Sequence, residues 1–175
     1  MVLHGLQERN EGLGGKMRRK DKQIGDIKYV KSIITENNLL HLGLSDSNRP
    51  YVIPLNYGYD GENLFIHCAM AGKKIDIIKN NTDEYGTPCF FEISDSIRVV
   101  TDEESCSCTT HYRCVMGSGR ISIIDDSKEK LEALKLIVRH IEKREATSLP
   151  EAVVEKTCVL KITVEELTGK QSPAK

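Results

Sequence analysis

Apolar positions recur along this chain with two different periods, and the period changes near residue 38. From Asp26 to Asn37, the residues Ile27, Val30, Ile33 and Ile34 fall near one helical face. Asp26 is placed to cap that helix, and the Asn37-Asn38 pair to end it. Beyond it the pattern becomes that of strands. Leu39–Leu44 is one, and Pro50–Tyr59, rich in β-forming residues, is another. Pro50 and Pro54 each remove a ladder donor, which predicts an edge or bulged strand. Asp60-Gly61 is a tight-turn signal into Asn63–Cys68, so these two strands are expected to form a hairpin. A short helix follows from about Lys73 to Lys79, then a polar loop from Asn80 to Pro88.

Cys89–Ile93 and Ile97–Thr101 are candidate strands around a Ser-Asp-Ser turn, and Glu103–Thr110 is a second polar loop. Tyr112–Met116 and Arg120–Ile124 are two strands, or one long strand bent at Gly117-Ser-Gly119. Asp126 with Glu129 three positions on is a capping-box pattern that opens a helix. Its apolar stripe is Leu131, Leu134, Val138 and Ile141, expected to pack on the core. In Thr157–Val164 the residues Cys158, Leu160, Ile162 and Val164 face one way. Residues 1–16 hold four glycines and no period, and read as a flexible lead-in. One domain is expected over 17–170, with 171–175 as a flexible tail. Six or more strands with two or three helices make an α+β chain, mainly β. Tight turns between successive strands favour an antiparallel, closed or partly closed barrel.

Composition narrows the functional classes. A chain of 175 residues suits one domain. Its net charge of -1 gives no global attraction to nucleic acid or an anionic membrane. No apolar run approaches the roughly 20 residues that cross a bilayer. Met1–Gly15 lacks the hydrophobic core of a secretory signal, so a cytoplasmic location is expected. The six cysteines are then mostly free thiols. Cys106 and Cys108 with His111 nearby raise the question of a metal. No second Cys/His pair stands at the spacing of structural zinc, so they are read as loop thiols and no metal is assigned.

The stretch Phe65–Asp76 carries the chemistry. An apolar run ends in His67, small residues and Gly72 follow, and Lys73 and Lys74 open a helix. A strand turning through small residues into a helix start presents free N–H groups and a positive dipole end to an anion. Lysines are disfavoured at that end by the dipole, so a pair of them there points to a bound phosphate. Which lysine turns inward is left open, since adjacent helical residues diverge by about 100°. His67 could bond a ligand or hand over a proton. Cys68 is its neighbour on a strand and faces the other way, which makes a Cys–His nucleophilic pair geometrically poor. Arg18, Arg19 and Arg113 are further candidates for phosphate, with surface charge the simpler reading of the first two. No G-x-G-x-x-G follows a strand, so a Rossmann site is unsupported.

Several segments taken together resemble one family. They are Met17-Arg-Arg-Lys-Asp, Pro50-Tyr-Val-Ile-Pro-Leu-Asn-Tyr-Gly-Tyr, Leu64-Phe-Ile-His-Cys-Ala-x-x-Gly-Lys-Lys, Tyr112-Arg-Cys-Val-Met-Gly-x-Gly-Arg and Thr168-Gly-Lys170. In this order they are similar to the pyridoxamine 5′-phosphate oxidase-related flavoproteins, and within them to the nitroimidazole-resistance branch. The resemblance runs from Met17 to Lys170. It implies an FMN-binding split β-barrel of antiparallel strands with a few flanking helices, acting as a homodimer with FMN at the subunit interface. FAD could use the same phosphate contact. The implied activity is an FMN-dependent oxidoreductase, reducing nitro-aromatic compounds of the 5-nitroimidazole type or acting like pyridoxamine 5′-phosphate oxidase. Apart from the resemblance, a reduced nicotinamide could still visit as a diffusing electron donor. By the same resemblance His67 sits near the flavin, beside Cys68 and Ala69. Gly72, Lys73 and Lys74 hold the phosphate. Ile53, Pro54, Leu55, Asn56 and Tyr57 run along the isoalloxazine, and Tyr112 and Arg113 lie near the cofactor or dimer face. Two departures stand out: Cys114 replaces the usual serine, and the loop from Asn80 to Pro88 is long. A non-catalytic flavin module or sensor stays open as an alternative. So does a haem-binding split barrel with His67 as axial ligand.

Overall fold

A computed structural model describes residues 18–146 and 148–172. The expected lead-in, 1–16, and the last three residues, 173–175, lie outside them. The strands are β1 (Gln23–Ile24), β2 (Leu39–Asp46), β3 (Arg49–Asn56), β4 (Gly58–Tyr59), β5 (Asn63–Cys68), β6 (Thr87–Val100), β7 (Thr109–Ile123) and β8 (Cys158–Ser172). The helices are α1 (Ile27–Glu36), α2 (Lys73–Asn81), α3 (Ser127–Glu142) and α4 (Glu151–Lys156). Asp26 caps α1 by accepting from the Lys28 amide, and Asp126 caps α3 by accepting from Lys128 and Glu129.

The strands form one antiparallel sheet in the order β3-β2-β6-β7-β8-β5-β4, with β1 paired to β8. The sheet curls until β3 comes close to β5, which makes a barrel that is not hydrogen-bonded shut. Leu40, Leu42, Ile66, Phe91, Ile93, Val115, Ile121, Leu160 and Ile162 fill its interior and are wholly buried. Period-two alternation lets β5 feed two cores. Leu64 and Ile66 point into the barrel, whereas Phe65 packs outside with Ile124, Ala133, Leu134, Ile137, Val154 and Val159 beneath α3 and α4.

The prolines of Pro50–Tyr59 do lie on an edge: β3 is the end strand of the sheet. The expected hairpin is shorter than the pattern suggests, because the segment breaks at Tyr57. β3 folds back on β2 through Ser47 and Asn48, both with positive φ, and only Gly58 and Tyr59 pair with β5. The break has two causes. Tyr57 turns its ring into the core and donates its hydroxyl to the Ile34 carbonyl at 2.7 Å. Gly58 passes so close to α3 that a Cβ there would stand 2.9 Å from the Ile137 backbone.

Other elements run longer than their sequence signals. β6 continues through the Ser-Asp-Ser segment, with a register shift between Asp95 and Arg98 and Ser96 at φ 54°. β7 is one strand, and the irregularity near Ser118-Gly119 is taken up by Glu165 of β8. β8 extends to Ser172, so Gln171 and Ser172 are strand residues paired with Arg113 and Tyr112, not a loose tail. α4 was not signalled.

The apolar face of α3 is rotated from the expected stripe. Of that stripe only Leu134 is fully buried; the buried set is Lys130, Ala133, Leu134, Ile137 and His140. A polar residue, His140, belongs to the buried face. His140 stacks obliquely on Tyr57 with ring centroids 4.9 Å apart, and its Nε2–H donates to the Asn37 carbonyl at 2.7 Å. This ties α3 to the end of α1.

Burial holds His140 below its ordinary titration range, against the hydrogen bond to Asn37 and with Lys143 adding to the depression. The unfolded chain therefore takes up this proton first, near pH 6.5. The stabilisation is complete above that pH and is lost as the pH falls through the depressed value. Urea unfolding at pH 7.5 and pH 5 should show a larger loss of stability in the wild type than in His140→Gln.

Candidate functional site

The β5–α2 turn ends in a helix start with little to cap it. Gly72 is the N-cap of α2 at φ 121° and offers no side-chain cap. The amides of Ile75 and Asp76 turn back to the Gly72 carbonyl at 2.8 and 3.1 Å. Those of Lys73 and Lys74 have no bonded partner among the described residues. A Cβ built on Gly72 would meet nothing within 4 Å, so the turn is open at this glycine. The two lysines diverge. Lys73 Nζ lies 3.1 Å from Asp46 Oδ2 and 5.3 Å from the Tyr51 ring centroid, leaning over the β2–β3 hairpin. Lys74 is half-buried and forms no ion pair among the described residues.

His67 is exposed on the outer face of β5, opposite Val159. Cys68 points the other way, half-buried against the barrel core. Ala69 is exposed and leads into the turn. Along β3, Ile53 and Leu55 pack partly on the core, while Pro54 and Asn56 face solvent. The Asn56 amide donates to the Asn38 carbonyl at 2.9 Å. β3 is a sheet end, so its outer edge carries backbone groups with no ladder partner. Tyr57 does not share that exposed line. Its side chain is wholly buried, and burial pushes its phenol far above the ordinary range.

Tyr112 and Arg113 stand apart from the turn. Cys158, at the start of β8, pairs with Cys68, whereas Ser172, at its end, pairs with Tyr112. Within the chain the two sets therefore sit toward opposite ends of β8. Arg113 is also engaged internally. It donates to Asp95 through Nε at 2.8 Å and Nη2 at 2.6 Å, and to Glu36 at 3.0 Å. The bond to Asp95 raises the guanidinium pKa further. Burial alone would push Asp95 up, but hydrogen bonds from Arg113, Asn37 and Ser96 outweigh it and hold the carboxyl below its usual range. Tyr112 is half-buried, with Lys22 and Lys170 ammonium groups 5.7 and 5.8 Å from its ring centroid.

Of the other arginines, Arg19 pairs with Asp21 on the surface, and Arg18 is exposed. Cys106 and Cys108 are exposed, and no group of three metal-binding side chains occurs among the described residues. None of the described helices is long and apolar enough to cross a membrane. Asp46, Tyr51 and Asp95 were missed as partners of the site lysine and of Arg113. The Ser47-Asn48 turn signal, read as a hairpin tip, would have brought Asp46 close to Lys73.

The fold is that of a split β-barrel protein. The chain belongs to the pyridoxamine 5′-phosphate oxidase family, whose model matches residues 27–171. Among solved structures it is similar to a candidate 5-nitroimidazole antibiotic resistance protein of Bacteroides thetaiotaomicron. The TM-score is 0.74 at 29% identity, over 85% of this chain and 86% of that one. The flavocytochrome Anf3 of Azotobacter vinelandii shares the fold with a TM-score of 0.75 at 21% identity, over 91% and 73% of the two chains. A FAD- and haem-binding protein of Mycobacterium smegmatis does so at 0.69 and 19%, over 87% and 74%. No curated protein matches the chain.

Arg113→Ala should leave Asp95 and Glu36 without their cation and cost about 2 kcal/mol of unfolding free energy. Arg113→Lys should recover only part of it, because an ammonium cannot make the two-pronged contact. Urea titration of the three proteins checks this.

Proposed function

We propose that the β5–α2 turn holds the phosphate of FMN, and that the protein is an FMN-dependent oxidoreductase acting on small molecules. The observation that carries this reading is the pair of unpartnered amides at Lys73 and Lys74, behind an open Gly72 and beside two lysines. The family supports a flavin as the owner of the phosphate. The 29% identical neighbour supports a nitro-aromatic substrate of the 5-nitroimidazole type. A FAD would use the same phosphate contact.

The redox step needs the bound flavin, since no side chain accepts or passes on hydride. The chain's own part is to bind and orient. The amides of Lys73 and Lys74 and the ammonium of Lys74 take the phosphate. Lys73 is steadied by Asp46 and Tyr51 at the rim. The unpaired edge of β3 offers backbone donors and acceptors to a heteroaromatic ring edge along Ile53–Asn56. His67, exposed next to the turn, can hold or deliver a proton to a substrate atom.

A homodimer is part of the proposal. Across the outer face, Gly43 brings Val52 of β3 and Phe90 of β6 to either side of β2. They are 64% and 52% exposed. Large exposed apolar residues set together on one sheet face suit burial by a second copy. Such a copy would cover the β3 edge and bring its own Tyr112 end to the site. A reduced nicotinamide fits as a donor that visits and leaves, because the sequence carries no dinucleotide fingerprint.

Purified protein should be yellow, with flavin absorbance and FMN released on denaturation. It should oxidise a reduced nicotinamide faster when a 5-nitroimidazole is present. Lys74→Ala should weaken FMN retention by about tenfold or more. Colourless protein that cannot be reconstituted with FMN contradicts the assignment, and a haem spectrum would replace it. Flavin binding without turnover would leave a flavin module or sensor.

A further inference from the structure

Two thiols meet at the inner end of the β5–β8 pairing. Cys68 and Cys158 are direct cross-strand partners in the antiparallel register. Both are free thiols and point into the barrel, where Cys158 belongs to the core and Cys68 packs against it. Directly opposed residues of an antiparallel pair have Cα atoms about 4.5 or 5.5 Å apart, and both separations fall inside the roughly 4.4–6.8 Å that a disulfide spans. Of the six cysteines, these two alone are register partners of one another.

We propose that Cys68 and Cys158 form a reversible disulfide under oxidising conditions, tying the end of β5 to the start of β8 immediately before the phosphate turn. The inference is independent of flavin binding. Accessibility sets the order of events: Cys68 is half-buried and reachable, Cys158 is buried. With a small disulfide such as oxidised glutathione, the Cys68 thiolate attacks one sulfur, forming a mixed disulfide and releasing one glutathione thiolate. The Cys158 thiolate then attacks the Cys68 sulfur and releases the second. Two protein thiols are oxidised to one disulfide, one small disulfide is reduced to two thiols, and the two protons pass to solvent or to the leaving thiolates.

Burial pushes the Cys158 thiol well above its ordinary range, with the adjacent Cys68 adding to the shift. Lys130 of α3 and Lys74 of α2 pull it back. The second step is thus slow at neutral pH, on the minutes-to-hours scale of uncatalysed exchange. It needs no solvent access, because its target is the sulfur across the ladder. The disulfide closes a loop from residue 68 to residue 158, so it should raise the thermal midpoint of the intact protein by several degrees.

The test is to treat the full chain with oxidised glutathione, block free thiols, digest without reductant and map the products by mass spectrometry. The expected product is a Cys68–Cys158 linked peptide that dithiothreitol reverses, with a raised thermal midpoint that falls back on reduction. Cys68→Ser should yield no link and no shift. Cys158→Ala, which keeps the core apolar, should accumulate the mixed disulfide at Cys68. The proposal is overturned if both thiols of the wild type stay free while Cys106 and Cys108 react. A wild type that stops at a stable glutathione adduct on Cys68 overturns it equally.

Discussion

The pairing of β8 with its neighbours is the constraint on which the rest of this structure depends. β8 bonds to β7 over most of its length, to β5 along its first half and to β1 near its end. The β5–β8 ladder joins segments far apart in the chain and turns a meandering sheet into a barrel. Loop-closure entropy opposes such non-local pairing, and apolar burial offsets it. Leu64 and Ile66 of β5 meet Ile162 and Leu160 of β8 with none of these side chains left accessible. Without that ladder β5 has only the two-residue β4 as a partner, and α2 has no fixed place to start from.

Fixing the end of β5 fixes the start of α2. The chain leaves the sheet at Cys68, turns at a glycine whose positive φ other residues adopt only at a cost, and enters α2 with two amides unspent. The lysines are not equivalent. Asp46 offsets the charge of Lys73, while Lys74 has no such partner among the described residues. The net positive field at the turn thus rests mainly on α2 itself and on Lys74.

Much of this was legible in the sequence, wherever a local rule and the tertiary fold agree. Asp26 and Asp126 announced α1 and α3, because caps act within a few residues. Gly72-Lys73-Lys74 announced the start of α2, because helix-start signals are also local. Two failures share a physical reason: each depended on a partner distant in the chain. Tyr57 belongs to a β-rich run, and only the closeness of Gly58 to α3 and the Ile34 carbonyl decide that its ring turns inward. The face of α3 rotated because His140 finds a buried acceptor at Asn37, which no hydrophobic period reveals. Tyr112 and Arg113 are no such failure: the register along β8 sets them away from the turn within the chain, with Arg113 held by Asp95, and leaves their place on a dimer face untouched. α4 is six residues long, too short for a helical period to register.

The central claim is that this turn recognises a phosphate belonging to a flavin. It is tested most directly by titrating cofactor-stripped protein with FMN and with riboflavin, which carries the same ring and no phosphate, and following the quenching of flavin fluorescence. FMN should bind at least about tenfold tighter than riboflavin, a difference of about 1.4 kcal/mol or more, and the preference should shrink in Lys74→Ala. Equal affinity for the two flavins, or a preference untouched by the substitution, would place the phosphate elsewhere and contradict the assignment of the β5–α2 turn.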